Sequence, residues 1–289
     1  MKTLLIAGCG DIALRAMSQL TRKYRVFGLV RSPGRAERIE KLGATSLPGD
    51  LDQPESLRSL AGMAELVLHL APPGETGDRD VRTENLLAAL SARAPERLIY
   101  VSTSGVYGDC GGAWVDEDRP VAPRTARARR RVAAEIALFD WARETGAALG
   151  ILRVPGIYAA DRLPLERIRR GMPVLRAEDD VYTNHIHAED LASICVTALA
   201  ATGTGRIYNA SDDSDMKMGD YFDLVADRAM LARPPRIPRA AAEAGAIPAA
   251  MLSFMRESRR LSNARIKAEL GVHLRYPSVR EGVPTRAAL

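Results

Sequence analysis

"TLLIAGCGDIALRAMSQL", residues 3–20, decides the fold. Its first six residues form a short apolar run that ends in a glycine, as a buried parallel strand does. Beyond it, Ile12, Leu14, Met17 and Leu20 recur at helical spacing. The turn between them, Gly8-Cys9-Gly10-Asp11-Ile12-Ala13, reads G-x-G-x-x-A. Glycines allow a tight turn and a close backbone approach to a pyrophosphate, and the helix that follows offers unpaired N–H groups and a partial positive charge. Ala13 is small enough to keep helix and sheet close. The strand–loop–helix context makes Gly8, Cys9, Gly10, Asp11 and Ile12 candidates for binding a dinucleotide. The plain alternative is a tight turn that holds nothing.

The alternation continues outward. Residues 25–30, the stretch "ATSLPGDL", 64–71 and 96–104 read as further strands. Helical segments separate them at 11–23, at "RAERIEKLG" closed by Gly43, at "PESLRSLAG" and at "VRTENLLAALSAR". The fold class that follows is α/β, a Rossmann-type doubly wound parallel sheet. After residue 105 come a glycine- and acid-rich loop, a long helix over roughly 124–145, and strands at 148–154 and near 205–211. This divides the chain into a nucleotide-binding domain over 1–158, completed by about 184–215. A smaller mixed lobe for the substrate takes 159–183 and 216–289.

Composition excludes several other classes. Charged residues make up 27% and apolar residues 46%, an ordinary soluble balance. The net charge is +5, but the basic residues are spread along the chain with acids between them, so no dedicated nucleic-acid arm is expected. Cys9, Cys110 and Cys195 form no CxxC pair and suggest neither a disulfide framework nor a zinc knuckle. No run approaches the roughly 20 apolar residues that span a bilayer, and the N-terminal run is too short for a secretion signal. The expected partner is a small molecule, with no membrane and no nucleic acid, in the cytoplasm.

The end of the second strand selects the cofactor. A carboxylate there would bond the ribose hydroxyls of NAD. This chain carries Val30-Arg31-Ser32-Pro33-Gly34-Arg35 instead. Arg31, Ser32 and Arg35 can cradle a 2′-phosphate through charge-assisted hydrogen bonds, so NADP is expected, with NAD as the alternative.

These residues resemble the short-chain dehydrogenase/reductases, in the extended and atypical group that holds the NAD-dependent epimerase/dehydratase family. Gly49-Asp50-Leu51 looks like that family's adenine-contacting "GDL", and His69-Leu70-Ala71, followed by Pro72, like the segment that passes under the cofactor. Residues 100–109, YVSTSGVYGD, look like its "SSxxVYGD" stretch, which includes Ser102. Arg153-Val154-Pro155-Gly156-Ile157-Tyr158 is similar to the run that flanks the nicotinamide. Asn184 to His187 with Asp190-Leu191, and Ser262-Asn263 through Leu270-Gly271, match two later elements. The resemblance implies cofactor contacts from Asp50, Leu51, Leu70, Ala71, Pro72, Ser102, Pro155, Gly156 and Ile157. It also implies a Ser or Thr that positions the substrate, here Thr103, and a Tyr-x-x-x-Lys pair that handles the proton.

That pair is missing. The five lysines stand at 2, 23, 41, 217 and 267, and none has a tyrosine four residues before it. Counted back from Glu135, the Tyr and Lys positions fall on Arg127 and Arg131, inside "PRTARARRRVAAE" (123–135). Arginine stays protonated and cannot act as a base. Arg131 can keep part of the lysine's role in cofactor binding, as a fixed positive charge with donors aimed at the ribose or phosphates, and it can also pair with Glu135 one turn on. Arg127 can hold an anionic substrate group or simply face solvent.

The remaining acid–base candidates are Tyr107, Tyr158, His185 and His187. The H-x-H pair alternates faces as a strand would, which disfavours a metal site. The acidic residues Asp116, Glu117 and Asp118 can pair with the arginines that follow or form a solvated turn. Three functions compete: an NADP-dependent oxidoreductase or epimerase-like enzyme, acting on a carbonyl or hydroxyl of a small molecule such as a nucleotide sugar; a non-catalytic NAD(P)-binding sensor; and a nucleic-acid binder that uses the arginines. Relatives often pair two long helices per subunit, so a homodimer and a monomer are both open.

Overall fold

Strand β1 (Thr3–Ala7) buries Leu4, Leu5, Ile6 and Ala7, because helices cover both faces of its sheet. Helix α1 (Asp11–Lys23) turns Ala13, Ala16, Met17 and Leu20 inward. In this computed structural model, which describes residues 1–201, 203 and 205–285, the same unit repeats along the first half of the chain. Strand β2 (Arg25–Val30), helix α2 (Pro33–Glu40), β3 (Thr45–Pro48), β4 (Leu66–His69), α3 (Val81–Ser91) and β5 (Arg97–Thr103) follow in order. The four last residues of the expected substrate lobe, 286–289, lie outside the described residues.

One expected helix takes another form. Residues 54–60 wind as a 3-10 helix. The Ser56 hydroxyl bonds back to the Gln53 carbonyl at 2.7 Å and accepts from the Asp50 N–H at 2.9 Å. Such local bonds compete with the α-helical ladder.

The long loop after β5 contains a two-residue strand, β6 (Trp114–Val115), and leads to helix α4 (Ala126–Thr145). The Thr125 hydroxyl accepts from the Ala128 N–H and caps the helix start, and Gly146 closes the end in the left-handed region at φ 77°. Then come β7 (Ala148–Val154), β8 (Gly156–Tyr158), α5 (Leu165–Arg169), β9 (Val174–Leu175), β10 (Tyr182–Thr183), β11 (His185–His187), α6 (Ala188–Ala201) and β12 (Arg206–Asn209). Beyond them β13 (Met216–Lys217) runs into α7 (Met218–Ala229).

The central sheet has the order β12-β7-β5-β4-β1-β2-β3, with every neighbouring pair parallel. Chain order reverses between β1 and β4, which is where α/β sheets open a crevice at the carboxyl ends of their strands. One apolar core lies under α1 and α6, and a second under α3 and α4. Two smaller clusters, one around Tyr158, Phe222 and Val225 and one around Leu175, Ile247 and Met255, stand apart from both. Among the described residues no helix is long and apolar enough to cross a membrane.

Candidate functional site

A cleft of about 910 Å³ opens at the carboxyl ends of β1, β2, β4 and β5. The β1–α1 loop forms its floor. Gly8 has φ 102°, and a Cβ there would come within 2.4 Å of the Ala71 backbone nitrogen, so only glycine fits. A Cβ on Gly10 would meet nothing within 4 Å, because that glycine faces the open cleft. Gly10 is also the N-cap of α1 and supplies no side chain to its first N–H groups. Those donors and that space are what a pyrophosphate requires.

The expected cofactor residues line this one cleft: Gly8, Cys9, Gly10, Asp11, Ile12, Arg31, Ser32, Arg35, Asp50, Leu51, Leu70, Ala71, Pro72, Ser102, Pro155, Gly156 and Ile157. Three of their side chains point to other work. The Cys9 thiol is buried, donates to the Ile6 carbonyl and is pushed up to about 12 by burial, so it brings backbone alone. The Asp11 carboxylate is held by Arg15 at 3.0 Å and by Arg162 at 2.9 Å. The Ser102 hydroxyl donates to Glu135 at 2.5 Å inside the protein.

At the β2 end, the Arg31 side chain is 63% exposed and lies 3.9 Å from Asp50 and 3.8 Å from Asp52. Asp52 is mainly engaged by Arg82, at 2.6 and 2.7 Å. The Ser32 hydroxyl makes no capping bond to α2. Arg31, Ser32 and Arg35 therefore line the same corner of the cleft.

At the opposite end stand Thr103, Arg127 and Arg131. The Thr103 hydroxyl oxygen accepts from the Gly105 N–H at 3.2 Å, which leaves its proton to donate. Arg131 is fixed by the strand beneath it: one nitrogen donates to the Tyr100 hydroxyl and to the Val101 carbonyl, both at 2.8 Å. The expected pairing of Arg131 with Glu135 does not form. Glu135 turns inward to Arg153 at 2.7 Å, where both side chains are buried.

Arg127 lies over the Phe254 ring at 4.4 Å and still meets solvent along the cleft. Packing on the walls strips part of its water and lowers its pKa, with Glu257 opposing that shift and Arg131, Arg130 and Arg259 adding to it. The other arginines of the cluster disperse. Arg124 approaches Asp109 at 3.6 Å, Arg129 pairs with Asp78 at 2.9 Å, and the buried Arg130 donates to the Gly77 carbonyl. The cluster is thus split among five destinations and presents no single basic stripe.

The other acid–base candidates are placed away from this cleft. The Tyr107 hydroxyl donates to Asn209 at 2.8 Å and is pushed up to about 12 by burial. Tyr158 donates to the Ser278 carbonyl, and its pKa is raised by burial. His187 stacks on Tyr276, and its Nδ1 accepts from the Glu189 N–H. His185 stacks on Tyr221 and is driven down to about 3 by burial, which keeps it neutral. Tyr100, beneath Arg131, is also raised to about 12 by burial. The acidic loop turns elsewhere too: buried Glu117 accepts from the Asn209 N–H at 2.7 Å, and Asp118 pairs with Arg265 at 2.6 Å. Its partners come from the far end of the chain and not from the arginines that follow it.

Sequence reading missed a group of residues on the far wall. Phe254, Glu257 and Arg259 reach the cleft from the C-terminal part of the chain. Arg259 donates to Glu257 at 2.9 Å and to the Gly108 carbonyl at 2.6 Å. The other carboxylate oxygen of Glu257, Oε1, is buried and has no partner. Residues 109–112 and Ser258 are clipped together by three bonds, two of them between backbone groups.

Comparison with known proteins agrees with this geometry. Residues 9–211 match the NAD dependent epimerase/dehydratase family. The chain is 24% identical to a GDP-6-deoxy-D-mannose reductase from Pseudomonas aeruginosa, over 77% of this chain and 78% of that protein. It is 25% identical to a 4-hydroxy-2-methyl-3-oxo-4-farnesyl-3,4-dihydroquinoline-1-oxide ketoreductase from Stigmatella aurantiaca, over 85% of this chain and 79% of that one. A solved structure of a functionally unknown conserved protein from Silicibacter pomeroyi superposes with a TM-score of 0.82 at 31% identity, covering 98% of this chain and 97% of the other. With the sheet order, the glycine loop and the matched residues together, the chain belongs to the NAD dependent epimerase/dehydratase family of extended short-chain dehydrogenase/reductases, and with it stands among NAD(P)-dependent oxidoreductases and epimerases.

Proposed function

We propose that this protein is an NADP-dependent oxidoreductase that interconverts a carbonyl and a hydroxyl on a small molecule. One observation carries the reading: Thr103, Arg127 and Arg131 share a single cleft with the Gly8–Ala13 loop and with Arg31, Ser32 and Arg35. The names of the curated relatives, a reductase and a ketoreductase, support the reductive direction.

A nicotinamide cofactor supplies the hydride; the chain supplies position and charge. Gly8, Gly10 and the start of α1 would hold the pyrophosphate, and Arg31, Ser32 and Arg35 the 2′-phosphate. The Thr103 hydroxyl donates to the substrate oxygen, since its own oxygen is already satisfied by Gly105. Arg131, locked on β5, presents a fixed positive charge where the family's lysine stands. Negative charge that develops on the substrate oxygen is stabilised by these preorganised donors, in an environment drier than bulk water. Arginine holds its protons at neutral pH, so neither Arg127 nor Arg131 gives up the proton that completes reduction. That proton comes from solvent through the Thr103 hydroxyl. NADPH oxidation against a panel of ketones and aldehydes, with Thr103→Ala as control, tests the reading.

A further inference from the structure

Beside the cleft lies a second hollow of about 400 Å³. Thr183, Met218 and Phe254 line both, so the two compartments share a wall. Tyr221, Phe222 and Met251 make most of the remaining surface apolar. Two basic side chains border it. His185 is neutral, held down to about 3 by burial. Arg167 is the charged one.

Arg167 lies flat over the Phe222 ring at 4.2 Å. Its guanidinium donates to the Pro173 carbonyl at 3.3 Å, and its buried Nε has no partner among the described residues. Among the described residues no carboxylate stands within ion-pair distance of it, whereas Arg170, Arg176 and Arg236 each have one. Burial alone lowers its pKa, to about 10, and no acid raises it again. A guanidinium partly stripped of water and left without a counter-ion is costly unless a ligand provides the anion.

We infer that the substrate is a carbonyl compound with an apolar arm that ends in a carboxylate, the arm filling this side pocket and the carboxylate pairing with Arg167. The inference rests on the placement of the reacting carbonyl at Thr103 given above. It also separates the substrate from a bare hydrocarbon ketone, which would leave Arg167 unpaired.

Binding to the NADP⁺-loaded protein tests this without turnover, because the oxidised cofactor has no hydride to give. The probes are 4-oxopentanoate, 6-oxoheptanoate and 8-oxononanoate, each against the 2-alkanone of equal chain length, measured by calorimetry. The expected result is a preference for the oxo acid of about tenfold or more at one chain length. Affinity within the 2-alkanone series should rise about three- to fourfold per methylene until the pocket is full.

Arg167→Met keeps an apolar stem over Phe222 and should bring the preference to within about twofold, whereas Arg167→Lys should retain part of it. No preference at any length in the wild type overturns the inference, whichever variants fold. A preference that survives in Arg167→Met but is lost in Arg127→Met places the anion at Arg127 and also overturns it. The preference without any NADPH turnover upholds the carboxylate site at Arg167 and sinks the oxidoreductase reading instead.

Discussion

Glu135 of α4 pairs with Arg153 of β7 at 2.7 Å, with both side chains about 95% buried, and not with Arg131 one turn before it on the same helix. Ser102 donates to the same carboxylate at 2.5 Å, and the Arg153 guanidinium lies 4.7 Å from the Tyr107 ring. This interior network ties α4 to the ends of β5 and β7. It also leaves Arg131 free to bond the backbone of β5 and face the cleft. Arg131 is therefore held on β5 while its neighbour Glu135 pairs with another strand.

Breaking that pair on one side strands a buried charge. Glu135→Gln should destabilise the fold by about 3 kcal/mol, read from chemical denaturation. Adding Arg153→Met should recover part of the loss, because the orphaned guanidinium goes with it. A single-variant cost below about 0.5 kcal/mol would mean that the pair is not the tie described here.

The proposed preference for NADP assigns cofactor choice to the corner of Arg31, Ser32 and Arg35. Arg31→Ala removes a cation and leaves Asp50 and Asp52 less screened toward any phosphate placed there. NADP⁺ affinity should fall about tenfold while NAD⁺ affinity moves by less than about twofold, as read by titration. Because Arg31 is exposed, the preference should also shrink as salt rises. An unchanged ratio of the two affinities contradicts the assignment.

Asp212 gives a pH signature. Burial raises its pKa to about 7, and its Oδ2 has no partner. Tyr158, Tyr221, Asp190 and Asp213 are the titratable groups that face it. In the unfolded chain an aspartate ionises near 3.8, so between about pH 4 and 7 the unfolded state loses this proton while the folded state keeps it. Asp212 therefore contributes most favourably below pH 4, and that contribution is lost as pH rises through 7. Asp212→Asn should stabilise the protein by about 2 kcal/mol more at pH 8 than at pH 5, seen as several degrees in Tm. An equal effect at both pH values rules out the raised pKa.

The first half of the fold is legible because its signals are local. A strand that ends at Gly8 and a helix that begins at Asp11 are written in adjacent residues, and the sheet follows from their repetition. The pairing of Glu135 is not legible that way. An i,i+4 arginine and a strand residue 18 positions on compete for it, and burial decides in favour of the strand. Glu117 shows the same limit, since its partner is a backbone N–H 92 residues away. The far wall of the cleft is hidden for a different reason. Phe254, Glu257 and Arg259 are brought there largely by bonds from the Cys110 and Gly112 N–H groups to the Ser258 carbonyl. Backbone bonds leave no mark on residue type, so nothing in that segment announces its place. Arg167 carries no motif either; its interest lies in the partner it lacks.

The central claim is that Thr103 and the cofactor cleft carry out hydride chemistry without a tyrosine–lysine pair. The direct measurement is steady-state NADPH oxidation with a panel of ketones, aldehydes and oxo acids, run on wild type, Thr103→Ser and Thr103→Ala, with NADPH affinity measured in parallel. The account predicts turnover of at least one carbonyl by wild type, activity within a few fold for Thr103→Ser, and a kcat about a hundredfold lower for Thr103→Ala at unchanged NADPH affinity. Tight NADPH binding with no turnover of any carbonyl, or a Thr103→Ala variant as fast as wild type, contradicts it.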